Sequence, residues 1–277
     1  YEPTANQESF QLNALKKTLQ YVQAHSAFYQ NIFRQKQIDI SQIQTLSDLR
    51  LLPCTTKADL QQYNRDFICV APQQIIEYSA TSGTMGTPVY AALTRNDLDR
   101  LAYNESLSFQ LMGLTDQDVV QLMLTLDRQF MAGMAYYSGL QKTGAAIVRT
   151  GPGLPPMQID TALKLQSTAL VAVPSFLLKL IEYCEKEHVD INSLPVKKVL
   201  CIGENIRDDK LQPNALAKLI TEKWNIQLYS TYASTEMQTA FTECGEGAGG
   251  HHQPELVIVE ILDDHDQPLE AGQYGEI

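Results

Sequence analysis

Four stretches of the chain combine residue types that can do chemistry. Ser79, Thr81, Ser82, Thr84 and Thr87 stand close together, interleaved with Gly83 and Gly86. Such a run offers many hydroxyl and backbone N–H donors and little bulk, which suits a phosphate group. Only two residues separate Gly83 from Gly86 and no Gly-Lys-Ser/Thr follows, so it is not a Walker A loop. The same composition also describes a Ser/Thr-rich hairpin connection, and the residues alone leave both readings open. In Cys201-Ile-Gly-Glu-Asn205, Gly203 lets a ligand approach the backbone while Glu204 and Asn205 offer hydrogen-bonding groups; an ordinary strand-to-helix turn reads the same way. In Ser230-Thr-Tyr-Ala-Ser-Thr-Glu236, Tyr232 can stack on a flat ring, Thr235 can donate to a phosphate and Glu236 can hold Mg²⁺, against the alternative of a polar loop with one aromatic. Cys244, His251 and His252 flank a glycine-rich segment able to fold back, and Cys and His are suitable ligands for a structural Zn²⁺. Glu243, Glu246 and Cys201 are candidates for a further ligand; the alternative is a glycine loop with solvent-facing histidines.

These stretches must be positioned by the elements around them. The apolar spacing of Leu12, Leu15, Leu19, Val22, Phe28, Tyr29 and Phe33 predicts one long helix over 8–34. Ser47 is read as the cap of a short helix ending near Leu52, and Thr55 or Thr56 as the cap of a helix from Lys57. Strands are expected over 119–124, 145–149, 169–173, 196–202 and 226–230. Helices are expected from Asn96 to about Met112 and over 130–142, 158–167, 175–188 and 208–224. Alternation of this kind predicts an α/β fold with mostly parallel sheets flanked by helices. A helical N-terminal region (1–65) precedes the core (66–254), and the apolar run Leu256–Leu262 starts a smaller β-rich part (255–277). In parallel sheets ligands sit at the carboxyl ends of strands, where three of the four stretches fall.

Composition narrows the function classes. Lys and Arg number 21 against 32 Asp and Glu, a net charge of −11, which disfavours sequence-independent nucleic-acid binding. No apolar run approaches the roughly 18 residues of a membrane span. Five scattered cysteines without a C-x-x-C read as reduced thiols of a cytoplasmic protein. There is no G-x-S-x-G or H-E-x-x-H, so hydrolase and metalloprotease readings lack support. His25, His188 and His265 have no partner pattern and are read as structural.

Taken in order, the motifs resemble the AMP-forming (adenylate-forming) ligase superfamily. Its S-S-G-T-T-G-K-P loop is matched by Thr81-Ser-Gly-Thr-Met-Gly-Thr-Pro88, its G-G-E or G-A-E turn by Ile202-Gly-Glu204, and its Tyr-Gly-x-Thr/Ser-Glu motif by Tyr232-Ala-Ser-Thr-Glu236. Ser26-Ala-Phe-Tyr-Gln30, Leu52-Pro-Cys-Thr-Thr-Lys-Ala-Asp-Leu60 and Val173-Pro-Ser-Phe176 look like the phenylacetate–CoA ligase branch. The resemblance implies ATP-dependent conversion of a carboxylic acid, aromatic or of medium apolar size, to acyl-AMP, then transfer to CoA. It implies that Thr81, Ser82, Gly83, Thr84, Gly86 and Thr87 close over the β- and γ-phosphates. Gly203 and Glu204 would border the adenine, with Tyr232, Ala233 and Ser234 beside the nucleotide. Thr235 would contact the α-phosphate and Glu236 would coordinate Mg²⁺. An acyl pocket is expected from Phe130, Met134 and Tyr136, with Met131 and Tyr137 as further candidates.

Three departures from the family pattern carry physical consequences. Thr87 stands where the family has Lys, removing a cation from the phosphate loop, and Met85 replaces its second Thr; Ala233 replaces a Gly. The chain stops at Gly275-Glu-Ile277, where the family continues to a ribose-binding Asp and a mobile domain with a catalytic Lys. The reading therefore expects a fragment, poor at adenylation by itself. A weakly active nucleotide- or acyl-adenylate-binding relative, and an enzyme with a non-CoA acceptor, are the rival expectations. A homodimer is the expected assembly.

Overall fold

The computed structural model describes residues 5–81 and 87–277, so Ser82, Gly83, Thr84 and Gly86 lie outside the described residues. The chain divides into two compact units, one of residues 1–94 with 253–277 and one of Arg95–His252. The boundary drawn from sequence at 65–66 thus leaves residues 66–94 with the first unit.

The first unit opens with helices α1 (Ala5–His25) and α2 (Ala27–Gln35). The single helix expected over 8–34 is broken at Ser26, whose hydroxyl accepts from Tyr29 N at 3.3 Å as the α2 cap and donates to Asp66 O at 2.8 Å. A Ser that satisfies a helix start and a distant carbonyl at once outweighs one continued turn. Leu19, Phe33 and Ile43 are buried together beneath these helices, and Phe28 stacks on Phe67 at 4.1 Å. A short 3₁₀ helix spans Leu46–Leu51; its start is fixed by Thr45, whose N–H donates to Asp48 at 2.8 Å, and not by Ser47. Thr56 caps α3 (Lys57–Gln62) as expected. Strands β1 (Glu77–Ala80) and β2 (Tyr90–Leu93) then form an antiparallel hairpin. The 256–262 run, expected as a strand, makes only isolated bridges, from Leu262 to Pro268 and to Glu276. Among the described residues its pairing stops at those bridges, with Leu269 N donating to Ile261 O at 2.8 Å.

The second unit bears out the α/β expectation. Its elements are α4 (Arg95–Leu111), β3 (Val119–Leu122), α5 (Met131–Thr143), β4 (Ala146–Arg149), α6 (Pro155–Leu165), β5 (Ala169–Ala172), α7 (Pro174–Lys186), β6 (Lys198–Cys201), α8 (Ala215–Thr221), β7 (Gln227–Ser234), β8 (Thr239–Glu243) and β9 (Gly250–His251). The seven strands run in the order β4-β3-β5-β6-β7-β8-β9. β4, β3, β5, β6 and the first half of β7 are parallel, whereas β8 and β9 are antiparallel. Central strands are almost wholly apolar because both faces are covered; the exceptions are Gln121, buried and bonded to Gln158 Oε1, and Lys198 at the start of β6. Leu170, Ala172, Val199 and Cys201 pack with α6, α7 and α8, while Ala169, Val171 and Leu200 pack with α4 and α5. Neighbouring residues therefore serve opposite layers, as the two-residue period of a strand requires.

Helix α8 is much shorter than the 208–224 expected. Asp208 instead closes a turn, its carboxylate accepting from Lys210 N and Gln212 N, each at 2.9 Å, and Arg207 bridges Pro213. The helix can start only after Pro213, at the Asn214 cap. Likewise α4 starts at Arg95, which leaves Asn96 inside its first turn. Among the described residues no helix is long and apolar enough to cross a membrane.

Candidate active site

A cavity of about 630 Å³ opens at the carboxyl ends of β5, β6 and β7, within the second unit. Its origin lies in the sheet register. β6 ends at Cys201, opposite Ser230 of β7. Beyond that point β6 turns away as Ile202–Asn205, while β7 continues to Ser234 by exchanging its parallel partner for antiparallel β8. The two segments separate, and both line the opening. This is where an open α/β sheet receives a ligand, and the volume is in the range of small-molecule sites.

The turn after β6 depends on Gly203, which has φ +74°, a left-handed conformation costly for any residue with a Cβ. Glu204 is held by the start of α7: its carboxylate accepts from Ser175 N and from Ser175 Oγ, each at 2.7 Å. A carboxylate at a helix N-terminus satisfies an orphan donor and complements the dipole. Behind the turn, Arg207 makes a two-pronged ion pair with buried Glu243, Nε to Oε1 and Nη2 to Oε2, both at 2.8 Å. The same carboxylate accepts Ser230 N at 2.9 Å, which fixes the point where β7 changes partner.

On β7, Tyr232 presents its ring, 55% exposed, with Phe241 stacked beside it at 6.2 Å between centroids. Ala233, Ser234 and Thr235 also line the cavity. Glu236 is exposed in the turn between β7 and β8 and is not among the lining residues. The motif expected as a loop is therefore mostly strand.

The opposite wall comes from α4 and α5. Phe130, Met131, Ala132, Ala135 and Tyr136 line the cavity, as do Leu101 and Glu105. Met134 does not: at 3.6 residues per turn it projects roughly 60° beyond the face shared by Met131 and Ala135. The two helices approach closely at Gly139, where a Cβ would come within 2.4 Å of the Glu105 Cβ. Tyr136 is buried, and desolvation first, then the nearby Glu105 carboxyl, push its phenol well above the ordinary range, opposed by a hydrogen bond with Thr231.

Glu105 was not anticipated from sequence. It is 4% exposed. Its Oε1 accepts from Asn104 Nδ2 at 3.4 Å, and its Oε2 has no hydrogen-bond partner among the described residues. Burial pushes its carboxyl up to about 8, against the smaller effects of Asn104 and Ser108. Asn104 is in turn held by Thr239, whose Oγ1 donates to Asn104 Oδ1 at 2.7 Å. The signal was present in the chain: Leu101, Glu105, Phe109 and Met112 share a helix face on which Glu105 alone is charged.

The phosphate-loop candidate belongs to the other unit. Its described ends close the β1–β2 hairpin: Thr81 N donates to Val89 O and Val89 N donates to Thr81 Oγ1, each at 3.0 Å. Thr87 O accepts from Gln61 at 2.7 Å. The zinc expectation finds no support in the geometry. β9 pairs with β8, placing His251 opposite Thr242, yet no group of three or more His, Cys, Asp or Glu able to hold a metal occurs among the described residues. Glu243 is committed to Arg207, and Cys201 is buried with its thiol pushed up to about 12, chiefly by desolvation, which suits it poorly to metal binding. A nucleotide-bound Mg²⁺ is a different case, since one or two carboxylates with phosphate oxygens suffice.

A sequence profile of the family described as AMP-binding enzyme matches residues 9–277. Phenylacetate-coenzyme A ligase of Escherichia coli (strain K12) is 27% identical over 280 residues, spanning 98% of this chain and 62% of the relative. Phenylacetate-coenzyme A ligase of Thermus thermophilus is 23% identical over 278 residues, spanning 99% and 61%. A crystal structure of 2-hydroxyisobutyryl-CoA ligase in the postadenylation state, in complex with 2-HIB-AMP, superposes with a TM-score of 0.86 at 21% identity, covering 99% of this chain and 59% of that one. The chain thus spans about three-fifths of the length of the curated relatives it matches.

Proposed function

We infer that the chain, which belongs to the AMP-binding enzyme family, carries the nucleotide- and acyl-binding part of an AMP-forming acid–CoA ligase. The observation that carries this reading is the cavity at the end of β6 and β7, with a polar turn and strand on one side and the apolar face of α5 on the other. Such a site suits a molecule whose two halves differ as an acyl group and a nucleotide do.

In this reading the acid carboxylate attacks the α-phosphorus of ATP and pyrophosphate leaves. The thiol of CoA then attacks the acyl carbonyl and AMP leaves. A carboxylate is a poor acylating agent, and the adenylate supplies the leaving group it lacks. The chain's part is positioning and charge neutralisation. Tyr232 stacks on the adenine, and the backbone at Gly203 and Glu204 borders its edge. Ala233 and Ser234 carry the strand past the ribose, and the Thr235 hydroxyl donates to the α-phosphate. Segment 81–88 serves the β- and γ-phosphates with hydroxyl and N–H groups, Thr87 supplying no cation. Phe130, Met131 and Tyr136 hold the acyl group, for which an aromatic or medium-sized acid is the best fit. Mg²⁺, when bound, neutralises phosphate charge, and Glu236 is the carboxylate that would hold it.

Calorimetric titration with AMP tests the nucleotide half. Binding at one site is expected, weakened about tenfold by Tyr232→Ala, in line with the stacking of a base on an aromatic ring. Absence of binding, or an affinity indifferent to Tyr232→Ala, refutes the assignment.

A further inference from the structure

The wall of the cavity formed by α4 is not apolar. Glu105 lines it beside Tyr136, and Thr239 and Thr231 line it nearby. A carboxyl group buried in this way normally satisfies both oxygens. Here Oε1 has Asn104 and Oε2 has no partner among the described residues. Ser108, one turn along, acts on the carboxyl as a neighbouring hydroxyl, while its hydrogen goes to Asn104 O at 3.2 Å. Two further polar residues of the lining are engaged elsewhere: Thr239 donates to Asn104, and Thr231 is bonded to Thr242 at 2.9 Å. An unsatisfied buried oxygen is costly, and a ligand group able to meet it gains what an apolar group forfeits.

We propose that Glu105 is a specificity-determining residue that selects acids carrying an oxygen substituent, a hydroxyl or keto group, on the acyl portion over their hydrocarbon counterparts. The inference rests on the acyl-site reading above and names the substrate class for it. At neutral pH the burial-raised carboxyl keeps its proton. With Oε1 accepting from Asn104, the proton sits on Oε2 and is offered to a substituent oxygen. A hydroxyl also answers the ionised form, since it can donate to the same atom.

The test measures dissociation constants by ligand-observed NMR for phenylacetate and its 2-, 3- and 4-hydroxy forms, with and without AMP. It uses the wild-type chain, Glu105→Leu and Glu105→Gln. Glu105→Leu fills the site with an apolar group, and Glu105→Gln keeps a donor and an acceptor and guards against a folding defect. At least one hydroxylated acid is expected to bind wild type about tenfold more tightly than phenylacetate. That preference is lost in Glu105→Leu and kept in Glu105→Gln. A wild type without preference, or a preference equal in Glu105→Leu, overturns the proposal; a purely structural Glu105 would change stability and leave the ratio unmoved. Binding of AMP but of none of the acids also overturns it and leaves the nucleotide assignment standing. A Glu105-dependent preference without any AMP binding supports it while removing the adenylation reading.

Discussion

Glu105 is a carboxyl group 4% exposed, with Asn104 Nδ2 3.4 Å from Oε1, and the help of Asn104 and Ser108 is smaller than the loss of water on ionising it inside the fold. Burial raises its pKa to about 8, and the native state keeps a proton that the unfolded chain releases at ordinary carboxylate pH. The group's contribution to stability is therefore largest below the unfolded value and falls as pH rises toward 8, by about 1.4 kcal/mol per unit. Urea unfolding of wild type and Glu105→Gln is expected to show wild type losing on the order of 2 kcal/mol more than the variant between pH 6 and 8. Parallel pH dependence of the two would show that Glu105 is not buried as described. The Arg207–Glu243 pair behaves differently, because both charges are held and satisfied. Removing one partner strands the other: Arg207→Met is expected to cost about 3–5 kcal/mol, and the double change Arg207→Met with Glu243→Met much less. Chemical denaturation of both variants checks this. Glu105 was not read from the sequence, although it is a lone charge among Leu101, Phe109 and Met112. The ion pair was not legible either, since its partners are 36 residues apart and meet only through the antiparallel return of β8.

Elements were legible where local pattern and tertiary demand agree. Ala169–Ala172 and Lys198–Cys201 were readable as strands because strands covered on both faces must be almost wholly apolar. The pattern failed where it was silent about partners. The run 256–262 has the composition of a strand, and among the described residues it forms isolated bridges and not a ladder. The apolar spacing of the first helix runs straight through Ser26, so periodicity could not show the break that a tertiary hydrogen bond to Asp66 imposes. Helix α5 was placed to within a residue; of its sequence candidates Phe130, Met131 and Tyr136 line the cavity and Met134 and Tyr137 do not, while Ala132 and Ala135 were not anticipated. The α4–α5 contact gives a direct test. Gly139→Ala would bring a Cβ within 2.4 Å of the Glu105 Cβ and 3.1 Å of Ser106 N. Overpacking of this kind is expected to cost about 1–3 kcal/mol, read as a lowered thermal midpoint; a variant as stable as wild type would show that the helices are not so close.

At the scale of the molecule, the order of motifs was more informative than any one of them. The turn at Gly203 and the Tyr232–Ser234 end of β7 are separated in sequence, and the structure brings both to one cavity because β6 and β7 are adjacent parallel strands. The described ends of the Ser/Thr/Gly segment, Thr81 and Thr87, belong to the first unit and lie between β1 and β2. If one cavity holds an acyl group and an adenylate together, the two halves joined in one molecule bind far more tightly than either alone. The most direct measurement is calorimetric binding of non-hydrolysable acyl-adenylate mimics, arylacetyl and hydroxyacyl sulfamoyl adenosines, compared with AMP and the free acids. One site is expected, bound at least a hundredfold more tightly by the best mimic than by AMP or acid alone, because linking two halves that occupy one site removes the second entropy cost of association. A best mimic that binds no more tightly than AMP would contradict a shared site.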